Sequence, residues 1–523
     1  MRVVWIVLLL GLVASLYFGF LPVNHSEAED ALHYMLNIKS DTVELHPNHL
    51  YFEPMHRLWL DVLGAFGLNI PTELALQGLT VVFSLGVLAL VFDLVARQSG
   101  VLAGAVTAAV LSVTFSFWHY STEADTYIPP LFFALLAFRS IAGAAPLGIG
   151  RAVLTGLLIA IATLLHQMYM FLAILIPLVL VLGGLRSMAR WRAGFIIGAV
   201  AGAVVIAAYA AAYATLDYQG GFLQWARGYS RDGLWTPFSA MSPVKGVVGF
   251  GTAILSTNVF FSIPATANAL TSLFPNVLLV EETFIADTAI SGTDRVLILA
   301  AMGLFALSGL MILWFALFRR QDSATGATDG DETDRYLLGA VLVYAVLTTV
   351  WEPTNREFWI QVVAFLLIWL GRRTTFDHPR VTLAWCTAAL ALFVANFLSA
   401  IEPYSQKDSD YWYVANQDLL ERLEPGDVVI SDCGYICTGY LRFYGQATVL
   451  APSDGTLDPL EGATRVVLSS WAMHPMDGLE RQLNPERRDQ VLTALTDRFG
   501  PLPAAEPGPQ TLWMATDTGW QKM

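Results

Sequence analysis

Eleven apolar runs, each long or nearly long enough to cross a bilayer, constrain this chain more than anything else in its sequence. They fall at about 3–21, 72–96, 101–118, 127–138, 152–165, 168–185, 194–216, 296–318, 336–351, 358–371 and 382–402. One buried core needs no such repetition, so the pattern predicts an all-α polytopic membrane protein with about eleven transmembrane helices. Charged residues make up 14% of the chain, against about 25% in ordinary soluble domains. The net charge of −14 sits mostly in loops and the C-terminal region, which makes nucleic acid an unexpected partner.

Basic residues set the expected orientation. Arg2, Arg97, Arg139 with Arg151, the group Arg186, Arg190 and Arg192, the group Arg319, Arg320 and Arg335, and the group Arg372, Arg373 and Arg380 occupy alternate connections. All can be cytoplasmic if the N-terminus is inside. The opening run is long and no A-x-A site follows it, which favours an uncleaved first span over a signal peptide. Val244–Ile263 is apolar enough to cross, but a crossing there would export Arg319 and Arg320. Residues 217–295 are therefore expected to form one long external region with an interfacial or re-entrant piece. Residues 55–70 have the pattern of a short helix on the outer surface.

Three external hairpins, around His119–Asp125, His166 and Glu352–Glu357, have arms of only about 12–18 residues where a full crossing takes about 20. Between Arg151 and Arg186 lie 34 residues, which as one helix would reach about 51 Å and overshoot the bilayer. Short arms put the polar tips below the outer lipid surface, where charges must face a wet cavity or one another. The expectation is one outward-facing cavity lined by these tips and by the first external loop, 23–56. After residue 402 the composition changes. Short β-rich runs at 427–431, 447–451, 465–470 and 511–515 alternate with helical patterns near 412–423 and 484–498. Residues 1–402 are thus expected to form a transmembrane domain, and 403–523 a small extracytoplasmic α/β domain. Cys433 and Cys437 either pair there or stay as buried thiols.

The first loop, NHSEAEDALHYMLNIKSDTVELHPNHLYFEPMHR (24–57), packs six acids beside five histidines. A carboxylate just outside a membrane can act as general base on an acceptor hydroxyl. Glu27 and Asp30, three apart, can be neighbours on a helix, whereas Glu29 points elsewhere. The bland reading makes Ser26 and these acids a helix N-terminus. His46 and His49, with Glu53 four residues on, have a spacing that could ligate a metal on a bent segment, but Pro47 prevents a regular helix and structural or substrate-binding histidines are the favoured reading. FWHYSTEADTYIPP (117–130) sets Glu123, Asp125 and Tyr127 at a hairpin mouth, and Pro129 and Pro130 open the return helix. His166 sits at a second tip. WEPTNREFW (351–359) carries Arg356, a natural partner for a phosphate leaving group or, alternatively, for Glu352.

These motifs occur in a telling order: an acidic first loop, a His-Pro turn, fW with E-x-D-x-Y, a span ending in LLHQ, a polar turn with arginine, then an α/β tail. That order resembles the GT-C superfamily of polytopic glycosyltransferases, bacterial relatives of protein O-mannosyltransferases and lipid A aminoarabinose transferases. It covers about residues 1–400. The chain departs from the family where His25-Ser26-Glu27-Ala28-Glu29-Asp30 replaces the usual acidic pair, Asn48-His49-Leu50 follows the His-Pro turn, and Asp125-Thr126-Tyr127 replaces Glu-Val-Tyr. The resemblance implies sugar transfer from a polyprenyl-phosphate donor to an envelope glycan, lipid or protein on the non-cytoplasmic face, with inversion. Glu27 or Asp30 would be the catalytic base. His46, His49, Glu123, Asp125, Tyr127, His166 and Arg356 would bind substrate, and Lys245 is a second candidate for the phosphate. A divalent metal near the first-loop acid is an option, not a requirement. The rival readings are a lipid or glycolipid flippase and an inactive homologue serving as a scaffold.

Overall fold

The computed structural model describes residues 2–143, 147–228, 238–273, 279–318, 328–374, 376, 378–454, 457, 460, 463, 465–475, 484–504 and 510–523. Arg319 and Arg320, with most of the linker that follows them, lie outside the described residues.

Helices occupy all eleven apolar stretches. Among the described residues six are long and apolar enough to cross a membrane: Arg2–Gly19, Thr72–Ser99, Met188–Thr215, Gly292–Phe318, Glu332–Trp351 and Pro379–Tyr404. Val101–Ser112 and Phe115–Thr122 form a pair bent by 72°, and Ile128–Ile141, Ile149–Leu165 and Gln167–Leu182 are shorter apolar helices. Ile360–Arg373 completes the set. The chain is a multi-pass membrane protein.

The short arms have local causes. Pro129 and Pro130 stand in the first turn of Ile128–Ile141, where a missing N–H costs nothing. His166, extended at φ −157°, ends one helix, and its Nδ1 accepts from Met168 N to start the 3-10 turn Gln167–Phe171. Val244–Ile263 does not form a single span. It splits into Ser242–Ile254 and Asn258–Phe261. Phe52–Ala65 is a helix whose Leu58, Val62 and neighbouring Phe66 are exposed.

By contact the chain divides into two compact units, one of residues 1–22, 37–257 and 291–402, the other of residues 23–36, 258–290 and 403–523. Small residues let the first unit's helices close up. A methyl group on Gly104 would stand 2.6 Å from the Phe92 carbonyl, and one on Gly156 would stand 2.9 Å from that of Ile197. Ion pairs tie helix ends together: Asp93 with Arg97 (2.8 Å) and Arg139 (2.5 Å), Asp334 with Arg372 (2.9 Å), and Glu332 with Arg190.

In the second unit a five-stranded sheet has the order β2-β1-β3-β4-β5. Strands β1 (Val428–Ile430), β2 (Thr448–Leu450) and β3 (Val466–Ser469) are parallel; β4 (Leu512–Thr516) and β5 (Gly519–Lys522) continue antiparallel. The first four strands match the β-rich runs of the sequence. Val428, Ile430, Leu468 and Trp513 pack with Val491 and Leu495 of helix Pro485–Phe499 into one apolar core. Cys433 and Cys437 form a disulfide at the start of helix Gly434–Gly445.

Candidate active site

In the first unit the residue types singled out in the sequence are drawn together by short turns. His46 caps the 3-10 turn Pro47–His49, its Nδ1 accepting from Asn48 N at 3.3 Å, and its ring stacks on His49 with centroids 4.6 Å apart. The Tyr209 hydroxyl donates to the Pro47 carbonyl, and Tyr51 N donates to the Leu164 carbonyl at 3.0 Å, which fastens this loop to the helix ending at His166. The His166 ring lies 5.3 Å from Tyr127, and Phe358 lies 5.6 Å from the same tyrosine.

Burial lowers the pKa of His46 to about 4 and holds His49 well below its ordinary value, where the charges of His46 and His166 act in the same sense. These rings are therefore neutral at pH 7. A neutral ring whose Nδ1 accepts a backbone N–H carries its proton on Nε2, so His46 and His166 are Nε2–H donors.

The hairpin and the 351–359 turn meet next to this group. Tyr120, 5.5 Å from Tyr127, donates to Glu357 Oε2 at 3.2 Å. The Arg356 guanidinium stands over the Phe115 ring at 5.3 Å, and its carbonyl accepts from Ser116 Oγ at 3.2 Å. Glu123 and Asp125 are fully buried, and Asp125 Oδ1 accepts from Thr126 N. Arg57 is occupied elsewhere, by Asp41 at 2.5 Å and Asp61 at 3.3 Å. Lys245 lies in the first turns of helix Ser242–Ile254, half-buried.

Glu53 turns to its own loop: Oε1 accepts from Asn37 Nδ2 at 3.0 Å and Oε2 from Glu44 N at 2.7 Å. Burial raises its pKa to about 7, against the two hydrogen bonds. Among the described residues no three His, Cys, Asp or Glu side chains are arranged to hold a metal ion.

Glu27, Glu29 and Asp30 belong to the second unit. Helix Glu29–Lys39 begins after Ser26, whose N and Oγ both donate to Asn24 Oδ1 (3.0 and 2.7 Å). Glu27 Oε1 accepts from the Tyr404 hydroxyl at 3.2 Å, and Asn258 Nδ2 donates to that hydroxyl at 3.3 Å. Asp30 Oδ1 accepts from Tyr435 at 3.2 Å; burial raises its pKa, opposed by that bond. Glu27 and Asp30 thus have separate partners.

One carboxylate here escaped sequence reasoning. Glu281 Oε1 accepts from Trp412 Nε1 at 2.5 Å. Its pKa is raised by burial and by the charge of Glu282, resisted by the Trp412 N–H, and raised again by Glu27. The only signal was an acidic pair inside an apolar stretch, VLLVEETFIADT.

No family model matches the chain, and no curated protein matches it either. Solved structures do. ArnT from Cupriavidus metallidurans in the apo state superposes with a TM-score of 0.50 at 12% identity, over 98% of this chain and 97% of that one. The oligosaccharyltransferase of Archaeoglobus fulgidus, crystallised with zinc and sulfate, gives 0.46 at 13% identity, over 89% and 68%. The arabinofuranosyltransferase AftD from Mycobacteria gives 0.42 at 14%, over 89% and 36%. The architecture is that of a polytopic helical membrane protein with a small α/β sheet. Its fold is GT-C-like.

Proposed function

We propose that this chain is a membrane glycosyltransferase that moves a sugar from a polyprenyl-phosphate donor to a cell-envelope glycan, lipid or protein on the non-cytoplasmic face. The observation that carries the reading is a set of polar groups gathered in an apolar unit: Glu123, Asp125, Tyr127 and His166, buried beside the ends of short apolar helices, with His46, His49 and Arg356, half-buried on short 3-10 turns. In an apolar protein such groups mark a substrate path by default.

In the reaction Glu27 or Asp30 takes the proton of the acceptor hydroxyl as its oxygen attacks the anomeric carbon. The bond from that carbon to the phosphate oxygen breaks, its electron pair leaves with the phosphate, and configuration inverts. Arg356 and Lys245 supply positive charge to the departing phosphate. The Nε2–H groups of His46 and His166 donate to sugar or phosphate oxygens. The N-terminus is cytoplasmic and residues 403–523 are extracytoplasmic, a placement the Cys433–Cys437 disulfide supports, since such bonds persist on the oxidising side.

The test is a mass-spectrometric comparison of envelope glycans and glycolipids with the protein, without it, and with Glu27→Gln/Asp30→Asn. A modification lost in both the deletion and the double variant supports the reading. A double variant that retains the modification removes the base and leaves a flippase or scaffold.

A further inference from the structure

Helix Gly434–Gly445 follows the central parallel strand, β1, of the C-terminal sheet, and three of its tyrosines reach residues 23–30. Tyr435 donates to Asp30 Oδ1 at 3.2 Å and stacks on His33 with centroids 4.3 Å apart. The Tyr440 hydroxyl accepts from His25 N at 2.8 Å and donates to Asp410 Oδ2 at 2.5 Å. Asp410 is fixed in turn by Tyr413 N at 3.1 Å. Tyr444 donates to the Val23 carbonyl at 3.2 Å. The disulfide joins Cys433, just before the helix, to Cys437 in its first turns, and so staples the stretch from which Tyr435 projects.

We propose that Tyr435 and Tyr440 are positioning residues for the first-loop acids: Tyr435 holds the Asp30 carboxyl, and Tyr440, braced by Asp410, holds the backbone at His25 from which Glu27 and Asp30 follow. The α/β tail is then a working part of the transferase. The proposal rests on the reading of Glu27 or Asp30 as base.

A purely structural role fits these side chains poorly. Tyr435 is 54% exposed and buries too little surface to serve as core, yet its hydroxyl is aimed at a carboxylate. Tyr440 is completely buried, where phenylalanine would fill nearly the same volume without a polar atom to satisfy. Its hydroxyl is used on both sides, as acceptor from the loop and donor to the brace. Glu27, Glu29 and His33 are the titratable groups within one turn of Asp30 in sequence, and Tyr435 donates to it from the helix; Arg442 acts on His33.

The experiment uses full-length protein in micelles, with amide hydrogen exchange over residues 23–36 and dicyclohexylcarbodiimide labelling of Asp30 followed against pH by mass spectrometry. Tyr440→Phe is expected to speed exchange at 24–28 by about tenfold, the scale of one hydrogen bond, and to leave strands 428–430 and 466–469 unchanged. Tyr435→Phe, which keeps the stacked ring, is expected to move the labelling midpoint of Asp30 to higher pH. Where transfer is measurable, both variants lower kcat with donor KM unchanged. Wild-type exchange in Tyr440→Phe, or a wild-type labelling profile in Tyr435→Phe, overturns the proposal. A wild-type protein that transfers no sugar overturns the proposed function alone, because neither readout depends on turnover.

Discussion

The hydroxyl of Tyr404 donates to Glu27 Oε1 while accepting from Asn258 Nδ2, so a single phenol orients one of the two candidate bases. The Tyr404 carbonyl separately accepts from Val23 N at 2.9 Å and Asn24 N at 3.0 Å. Backbone anchoring and side-chain orientation are therefore separable in this residue. Tyr404→Phe should keep the anchoring and lose the orientation. If Glu27 is the base, kcat should fall by about five- to tenfold, the scale of one hydrogen bond, with donor KM and melting temperature little changed. Transfer kinetics on purified protein check this. A raised KM at full kcat would move Tyr404 into donor binding.

Glu53 should make the 37–53 loop sensitive to pH. Its folded pKa is about 7 and its unfolded reference 4.5. Between those values the folded state holds a proton that the unfolded chain has released. Stability is then complete below about pH 4.5, falls as pH rises toward 7, and levels above it, with a slope of at most about 1.4 kcal/mol per pH unit. Melting temperatures of wild type and Glu53→Gln across pH 4–8 check the sign. The variant should lose the slope, and because its amide offers one acceptor oxygen, either Asn37 Nδ2 or Glu44 N loses its partner.

The helices were legible because apolar length and basic connections are local signals, and the break at His166 was legible because Leu164-Leu165 and the apolar run after Tyr169 leave only His166 and Gln167 as polar residues between them. The first four strands were legible as β-branched runs. Strand Gly519–Lys522, with the sequence GWQK, has no such run and is a strand only because it pairs with Leu512–Thr516. Helix Gly434–Gly445 was hidden by its glycines and tyrosines, which lower helix propensity until packing fixes them. Glu281 left only its acidic pair with Glu282 as a signal, too little to single it out. Its partners Trp412 and Glu27 are 131 and 254 positions away, and nothing in its own neighbourhood announces them.

Arg372 should be the costliest single charge to remove from the first unit. It is 5% exposed, donates through Nε to Asp334 Oδ1 at 2.9 Å and through a terminal nitrogen to the Leu94 carbonyl at 2.9 Å, and its own carbonyl accepts from Ser99 Oγ at 2.8 Å. Among the described residues, Arg372→Ala leaves Asp334 with Arg373 alone, at 3.2 Å on a more exposed side chain. Breaking a buried pair in this way costs about 3–5 kcal/mol, read as a fall in melting temperature in detergent. Arg372→Lys should recover only part of it, since one ammonium cannot copy the guanidinium's two directions. A wild-type melt for Arg372→Ala would mean the pair contributes nothing.

The Arg356 turn can be tested through a neighbour that touches no substrate group. Gly249 sits where a methyl group would stand 2.0 Å from the Pro353 carbonyl oxygen and 2.7 Å from Trp359 Nε1, and those two atoms are themselves hydrogen-bonded at 3.0 Å. The first is backbone and cannot swing aside, so Gly249→Ala has to displace the turn that carries Arg356 and Glu357. Overpacking of this kind costs about 1–3 kcal/mol. If Arg356 binds the donor phosphate, donor affinity should weaken both in Arg356→Ala and in Gly249→Ala, because the guanidinium moves with its turn. Gly251→Ala is the control, since its added methyl meets nothing within 4 Å. Equal donor binding in Gly249→Ala and Gly251→Ala, with the expected drop in stability present only in the first, would separate the turn's packing from the phosphate and take Arg356 out of the site.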